Sequence, residues 1–185
     1  MSSRKLAEAR LEELRTAYAI LISQDVLEVF GHITFRCAKN PNVYWLFEAG
    51  PPADTRLSSL VAYNLDSEPI DVLSGSEVRH FSERCIHSAI YAKRSDVGAI
   101  CHHHSPDIMP FAVAGVPLRP VTQTGASMGD LVPVWRSRET FGDTRLLVTD
   151  AKQANELADT LGSRAMVLMQ NHGATVVGQN IKELV

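Results

Sequence analysis

The sequence is poor in the features that mark a secreted, membrane-bound or nucleic-acid-binding chain. Its three cysteines, Cys37, Cys85 and Cys101, are odd in number and widely spaced, and no CxxC occurs. A disulfide framework is therefore not expected, and a reducing compartment fits best. No apolar run approaches the roughly 18 residues that a bilayer-spanning helix needs. The N-terminus, Met1-Ser2-Ser3-Arg4-Lys5, leads straight into an amphipathic pattern without the apolar stretch of a secretory signal. A cytoplasmic location is the resulting expectation. Lys and Arg form no dense block, and the net charge is −3, which argues against a nucleic-acid or membrane surface. Internal repeats, low-complexity stretches and linkers are absent too. The expected partners are a small molecule and further copies of the same chain.

What is present suits one ordinary domain over residues 1–185. Hydrophobic residues make up 45% and charged residues 21% of a chain of 185, enough to bury a core. Ser3 is placed to cap a helix whose Leu11, Leu14, Tyr18 and Leu21 recur at helical spacing. Gly31 to Arg36 and Val43 to Phe47 read as strands, Gly50-Pro51-Pro52 as a break, and residues 57–72 as short strand-like pieces. Asp71 to His80 reads as loop. Ser82 is the expected N-cap of a helix from Glu83 to about Arg94, with Ile86, Ile90 and Tyr91 facing the core. Val97 to His102 reads as a strand, and Met109 to Ala114 as a short helix ended by Gly115 and Pro117. Residues 119–145 read as short strands and loops, which often carry function. Asp150 is the expected cap of a helix with Ala154, Leu157 and Leu161 inside and Gly162 as its stop. Ala165 to Met169 reads as a buried strand, Asn171-His172-Gly173 as a turn and Ala174 to Val177 as a further strand. The pattern reaches Val185 one turn into another helix, so further residues are expected beyond it.

The chemistry concentrates in histidine. His102 and His104 stand two residues apart at a strand end, so both point to one face and His103 to the other. Two imidazoles about 6–7 Å apart at Cα can converge on one ion. A third ligand would leave a position open for water or substrate, as catalytic sites require. His172, in a glycine-flanked turn where backbone can approach closely, is the best candidate. Glu83, on the preceding helix, can supply a base or a further ligand. His80 and His103 are expected to be non-ligands, and Cys101 a core residue. His87, one turn after Glu83, is expected to orient it or to pack.

The stretches Ser82-Glu83-Arg84-Cys85-Ile86-His87-Ser88-Ala89-Ile90-Tyr91 and Ser95-Asp96-Val97-Gly98-Ala99-Ile100-Cys101-His102-His103-His104-Ser105 carry a resemblance, as does Leu168-Met169-Gln170-Asn171-His172-Gly173-Ala174. Together they resemble the class II aldolase/adducin family, from about residue 7 to the end. The resemblance implies an α/β fold, three-layer α/β/α around a central, mostly antiparallel β-sheet. It puts His102, His104 and His172 on the metal ligands and Glu83 on the catalytic acid/base. It implies one divalent ion, Zn2+ or Mn2+, with Fe2+ also compatible with the ligands. It also implies a homotetramer with the active site near a subunit boundary.

The departures from the phosphosugar branch are informative. This chain has Gly31-His32-Ile33-Thr34 where that branch carries Gly-Asn, Phe47-Glu48-Ala49-Gly50 where it carries a hydroxyl-glycine turn, and Phe81-Ser82 where it carries paired serines. Several of the donors that a phosphate dianion needs are thereby missing. Together with Pro117-Leu118-Arg119-Pro120-Val121, these differences resemble the decarboxylase branch, which acts on aromatic hydroxy-carboxylates. Gln123 stands where a Tyr or His proton donor is usual. The expectation is a metal-dependent carbon–carbon lyase, a decarboxylase or aldolase. It would act on a small non-phosphorylated hydroxy- or keto-carboxylate through a metal-stabilised enolate. His32, Arg119 and Gln123 are its expected substrate contacts. The alternatives are a non-heme iron oxygenase on the same scaffold and a non-catalytic adducin-like interaction domain.

Overall fold

The structure is a computed structural model that describes residues 3–50, 60–72 and 78–185. The expected break at Pro51-Pro52, the strand-like residues 57–59 and part of the expected loop, residues 73–77, lie outside the described residues, as does the Ser3 side chain.

Among the described residues, eight strands form one sheet: β1 (His32–Arg36), β2 (Val43–Phe47), β3 (Leu60–Asn64), β4 (Pro69–Val72), β5 (Ala99–His103), β6 (Val134–Trp135), β7 (Met166–Met169) and β8 (Gly173–Gly178). Their order is β4-β3-β2-β1-β5-β8-β7-β6, and only β6 pairs in parallel. β5 therefore lies at the centre, between β1 and β8, with His32 opposite His102 and Ala174 opposite His103.

Strand alternation sorts the side chains into two layers. Ile33, Phe35, Ala99 and Cys101 bury against the stripe of α1 (Ser3–Ser23), where Leu14, Tyr18 and Leu21 are buried and Leu11 partly so. Ile100, Tyr44, Leu46 and Val167 face the other way, against Ile86, Ile90 and Tyr91 of α2 (Cys85–Lys93) and Leu157 and Leu161 of a later helix. The chain also forms α3 (Met109–Ala114), α4 (Ser137–Phe141), α5 (Ala151–Leu161) and α6 (Ile181–Leu184). α2 packs on α5, and α1 on α6. The result is α/β/α layering around a mostly antiparallel sheet. Cys101 is buried in the α1 layer. No helix among the described residues is long and apolar enough to cross a membrane.

Several local expectations are corrected. Ser82 caps nothing: it opens a 3-10 turn, Ser82–Arg84, and α2 starts only at Cys85 with Arg84 as N-cap and no side-chain cap bond. The tighter turn rotates Glu83 away from the helix register and into the sheet-side cavity. Asp71 and Val72 belong to edge strand β4 rather than to a loop; Pro69 is tolerated there because an edge needs fewer N–H donors. Residues 119–145 hold one two-residue strand, a 3-10 turn and the helix α4, which their composition hides. Asp150 does cap α5, accepting from the N–H groups of Lys152 and Gln153.

Candidate metal centre

β5 delivers His102 within the sheet and His104 just past its end, while His172 comes from the turn between β7 and β8. That turn holds Asn171 in the left-handed region, φ 59°, a conformation asparagine accepts more readily than most residues. Gly173 follows because nothing larger fits: an added Cβ would lie 2.4 Å from the His103 carbonyl oxygen and 2.7 Å from the His104 ring. The three rings form a near-equilateral triangle, with centroid separations of 4.7, 5.0 and 5.1 Å. Glu83 faces them from the 3-10 turn, 3.5 Å from His102 Nε2 and 3.4 Å from His172 Nε2. One ligand atom from each of the four residues lies within 4.8 Å of every other.

The hydrogen bonds fix which nitrogen each ring presents. His102 Nδ1 faces the Ala174 carbonyl at 3.1 Å and His172 Nδ1 the Leu146 carbonyl at 2.6 Å. A carbonyl can only accept, so both Nδ1 atoms carry the proton. His104 Nδ1 donates to the Glu28 carboxylate at 2.7 Å. Each Nε2 is therefore a bare lone pair turned inward, beside a carboxylate. His102 Nε2 is buried with no hydrogen-bond partner. Lone pairs converging on lone pairs in a buried site are unfavourable unless a cation lies between them. The donor set thus fits a divalent metal, and the outer acceptors orient the ligands as metal sites require.

Electrostatics agree. Burial pushes His102 below its ordinary value, which keeps it in the neutral, ligating form. Burial raises the Glu83 carboxyl; an inward proton on His102 or His172 would outweigh that and hold it well below the ordinary carboxylate range, and with both Nε2 atoms bare a bound cation would take that role. The Val148 N–H, donating to Glu83 Oε1 at 2.8 Å, acts in the same direction.

The cluster opens on a cavity of about 600 Å3 whose wall includes Phe30, His32, Phe81, Glu83, Arg145 and Asn171. His32 is thus at the site. Arg119 and Gln123 are not: both are exposed and neither lines the cavity. The arginine among the lining residues is Arg145. His87 does not reach Glu83 either; it bonds His32 and Thr34. His103 is buried outside the cluster, its Nδ1 accepting from the Ser105 N–H, and His80 pairs with the Tyr63 hydroxyl. Glu28, Arg145 and the Leu146 carbonyl had no sequence signature. Glu28 is one acidic residue among many, and a carbonyl's role depends on chain path alone. Leu146 holds φ 65°, a conformation a branched side chain rarely adopts, and so turns its oxygen to His172.

Comparison with known proteins gives one consistent answer. The model of the "Class II Aldolase and Adducin N-terminal domain" matches residues 12–185. The decarboxylase tropJ of Talaromyces stipitatus is 28% identical over 179 residues, covering 90% of this chain and 66% of its own. Mouse alpha-adducin is 26% identical over 157 residues, covering 84% of this chain and 20% of its own. The chain thus spans just under two thirds of that decarboxylase and a fifth of that adducin. Among solved structures, the L-fuculose 1-phosphate aldolase from Glaciozyma antarctica superposes with a TM-score of 0.75 at 28% identity, over 97% of this chain and 68% of that one.

Proposed function

Because the chain belongs to the class II aldolase and adducin N-terminal domain family, we propose that it is a divalent-metal-dependent carbon–carbon lyase. In this reading residues 1–185 form one domain, His102, His104 and His172 hold a single Zn2+ or Mn2+ ion, and the substrate is a small non-phosphorylated hydroxy- or keto-carboxylate. The carrying observation is the set of three inward Nε2 lone pairs facing a buried carboxylate, with His102 Nε2 left without a partner.

Bound there, the ion would supply Lewis-acid stabilisation of the negative charge that builds on the adjacent substrate oxygen. The rest falls to the chain's own residues. Glu83, held ionised, takes the proton of a substrate hydroxyl as the carbon–carbon bond breaks. Carbon dioxide or an aldehyde leaves, and Glu83 returns the proton to the carbon that kept the electron pair. The Val148 N–H fixes which carboxylate oxygen faces the substrate. Arg145, rather than Arg119, is positioned to meet a carboxylate with paired donors. Phe30, Phe81, Leu146 and Leu147 give the wall apolar bulk, which suits an aromatic or aliphatic body better than a sugar phosphate.

The test is metal analysis of the purified protein together with a screen of hydroxy- and keto-acids for carbon dioxide or aldehyde release. About one equivalent of zinc or manganese, with turnover of a carboxylate, is the expected result. Stoichiometric iron would favour the oxygenase reading. A protein that binds no metal under any loading condition would favour an adducin-like interaction domain.

A further inference from the structure

Behind the cavity wall runs a line of buried polar groups that the lyase reading does not use. The Tyr91 hydroxyl lies 2.8 Å from Thr34 Oγ1, which lies 2.7 Å from His87 Nδ1. His87 Nε2 in turn lies 2.7 Å from His32 Nδ1. All four residues are buried, and the line crosses from α2 to β1 and back before ending at His32 in the cavity wall. The remaining nitrogen, His32 Nε2, bonds none of the described residues, and it is not among the fully enclosed atoms left without a partner.

Counting protons along this line gives it a direction. Each contact holds one hydrogen. Suppose first that His32 donated from Nδ1. His87 would then accept at Nε2 and donate from Nδ1 to Thr34. Either the Thr34 hydroxyl or the Tyr91 phenol would be left with a buried hydrogen and no acceptor, since Thr34 Oγ1 and the Tyr91 oxygen bond only each other and His87 among the described residues. A charged imidazole at either position meets the same defect. An orphaned buried donor is costly, whereas a spare lone pair on the phenol oxygen is tolerated. One arrangement satisfies every hydrogen inside the line and leaves a single N–H for the cavity at its end. Tyr91 donates to Thr34, Thr34 to His87 Nδ1, and His87 Nε2–H to His32 Nδ1. His32 must then carry its own proton on Nε2.

We propose that the Tyr91–Thr34–His87 relay locks His32 as the Nε2–H tautomer, so that it offers a neutral hydrogen-bond donor to an oxygen of the substrate in the metal-site cavity. A neutral donor suits this position. The His32 ring centroid is 5.2 Å from that of His102, where an added positive charge would oppose a cation. Tyr91, Thr34 and His87 are positioning residues, and His32 is the group that touches substrate. This inference rests on the metal-lyase reading for its ligand, but the tautomer itself does not depend on bound metal.

The experiment uses the full chain with 15N-labelled histidine, metal-free and zinc-loaded, with oxalate as a two-oxygen carboxylate probe. Nitrogen shifts should show His32 protonated at Nε2 and bare at Nδ1 in both forms. Thr34→Val, nearly isosteric, should blur this into two tautomers, and Thr34→Ser should restore one. His32→Phe should weaken oxalate binding about tenfold at unchanged zinc content, the loss of one neutral hydrogen bond. An Nδ1–H or doubly protonated His32 in the unaltered protein would overturn the proposal, as would oxalate affinity indifferent to His32→Phe at full zinc. A protein with the assigned tautomer that takes up no zinc would instead sink the metal reading and, with it, the substrate contact.

Discussion

At the residue scale, the four histidines at and next to the cluster differ in what each can lose. His104 presents Nε2 to the cluster and is held by Glu28, whereas His103, its neighbour, is buried outside the cluster. His104→Ala should therefore remove most bound metal, measured by elemental analysis, while His103→Ala should keep it. Equal metal loss in both would refute the division of faces along β5. His103 has a separate consequence. Burial pushes its pKa down from 6.5 to about 4. Between those values the unfolded chain takes up a proton that the folded chain refuses. Stability is thus fully present above about pH 6.5 and declines as the pH falls toward about 4, by an amount on the order of 3 kcal/mol from this residue. Denaturant titrations of the metal-free protein should show His103→Asn with a flatter profile across that window. A constant difference between the two proteins from pH 7 to 4 would be the contrary result. Glu83→Gln tests the remaining role. The amide keeps the size and one oxygen, so zinc loaded in excess should still bind, while turnover falls by a factor on the order of 10² to 10⁴ for loss of the proton carrier. Full activity would remove Glu83 from the mechanism.

At the element scale, the site depends on how closely β8 approaches β5. Gly173 allows this approach, and a methyl group there would meet the His103 carbonyl and the His104 ring. Gly173→Ala should cost on the order of 2 kcal/mol in stability, read by thermal melting, and should lower metal affinity because His104 is displaced. Gly98→Ala is the matched control. Its Cβ would lie 2.0 Å from the Gln179 carbonyl oxygen, a comparable clash at the far end of β5. It should lower the melting temperature and leave metal content intact. If both variants lose metal equally, the effect is global rather than local to the turn. The elements themselves were largely legible, because α5 carries a clear helical periodicity and an Asp150 cap, and the buried strands are short apolar runs. The start of α2 was not. The 3-10 turn at Ser82–Arg84 holds Glu83 where it accepts from the Val148 N–H, 65 positions away, and local propensity holds no trace of that contact. The same reason hides the acceptors behind the ligands: His102, His104 and His172 show in their spacing and motif, whereas the Ala174 and Leu146 carbonyls do not.

At the scale of the whole molecule, the misplacement of Arg119 and Gln123 is informative. Sequence order puts them shortly after β5, and resemblance puts them near substrate, yet both lie on an exposed segment off the cavity wall. The same segment exposes branched apolar side chains: Val113 at 57%, Val116 at 53% and Val121 at 92%. Scattered apolar exposure is ordinary, but three such residues within nine positions, stiffened by Pro117 and Pro120, are better suited to a covered face than to water. Closed symmetric assembly of identical chains is the commonest way to cover such a face. The homotetramer expected from the resemblance would meet that need. The protein should then sediment as an oligomer at micromolar concentration, and Val116→Asp combined with Val121→Asp should shift it toward single chains. Because all four cluster residues lie in one chain, the dissociated variant should retain its metal. A wild-type protein that sediments as a single chain would end this part of the argument.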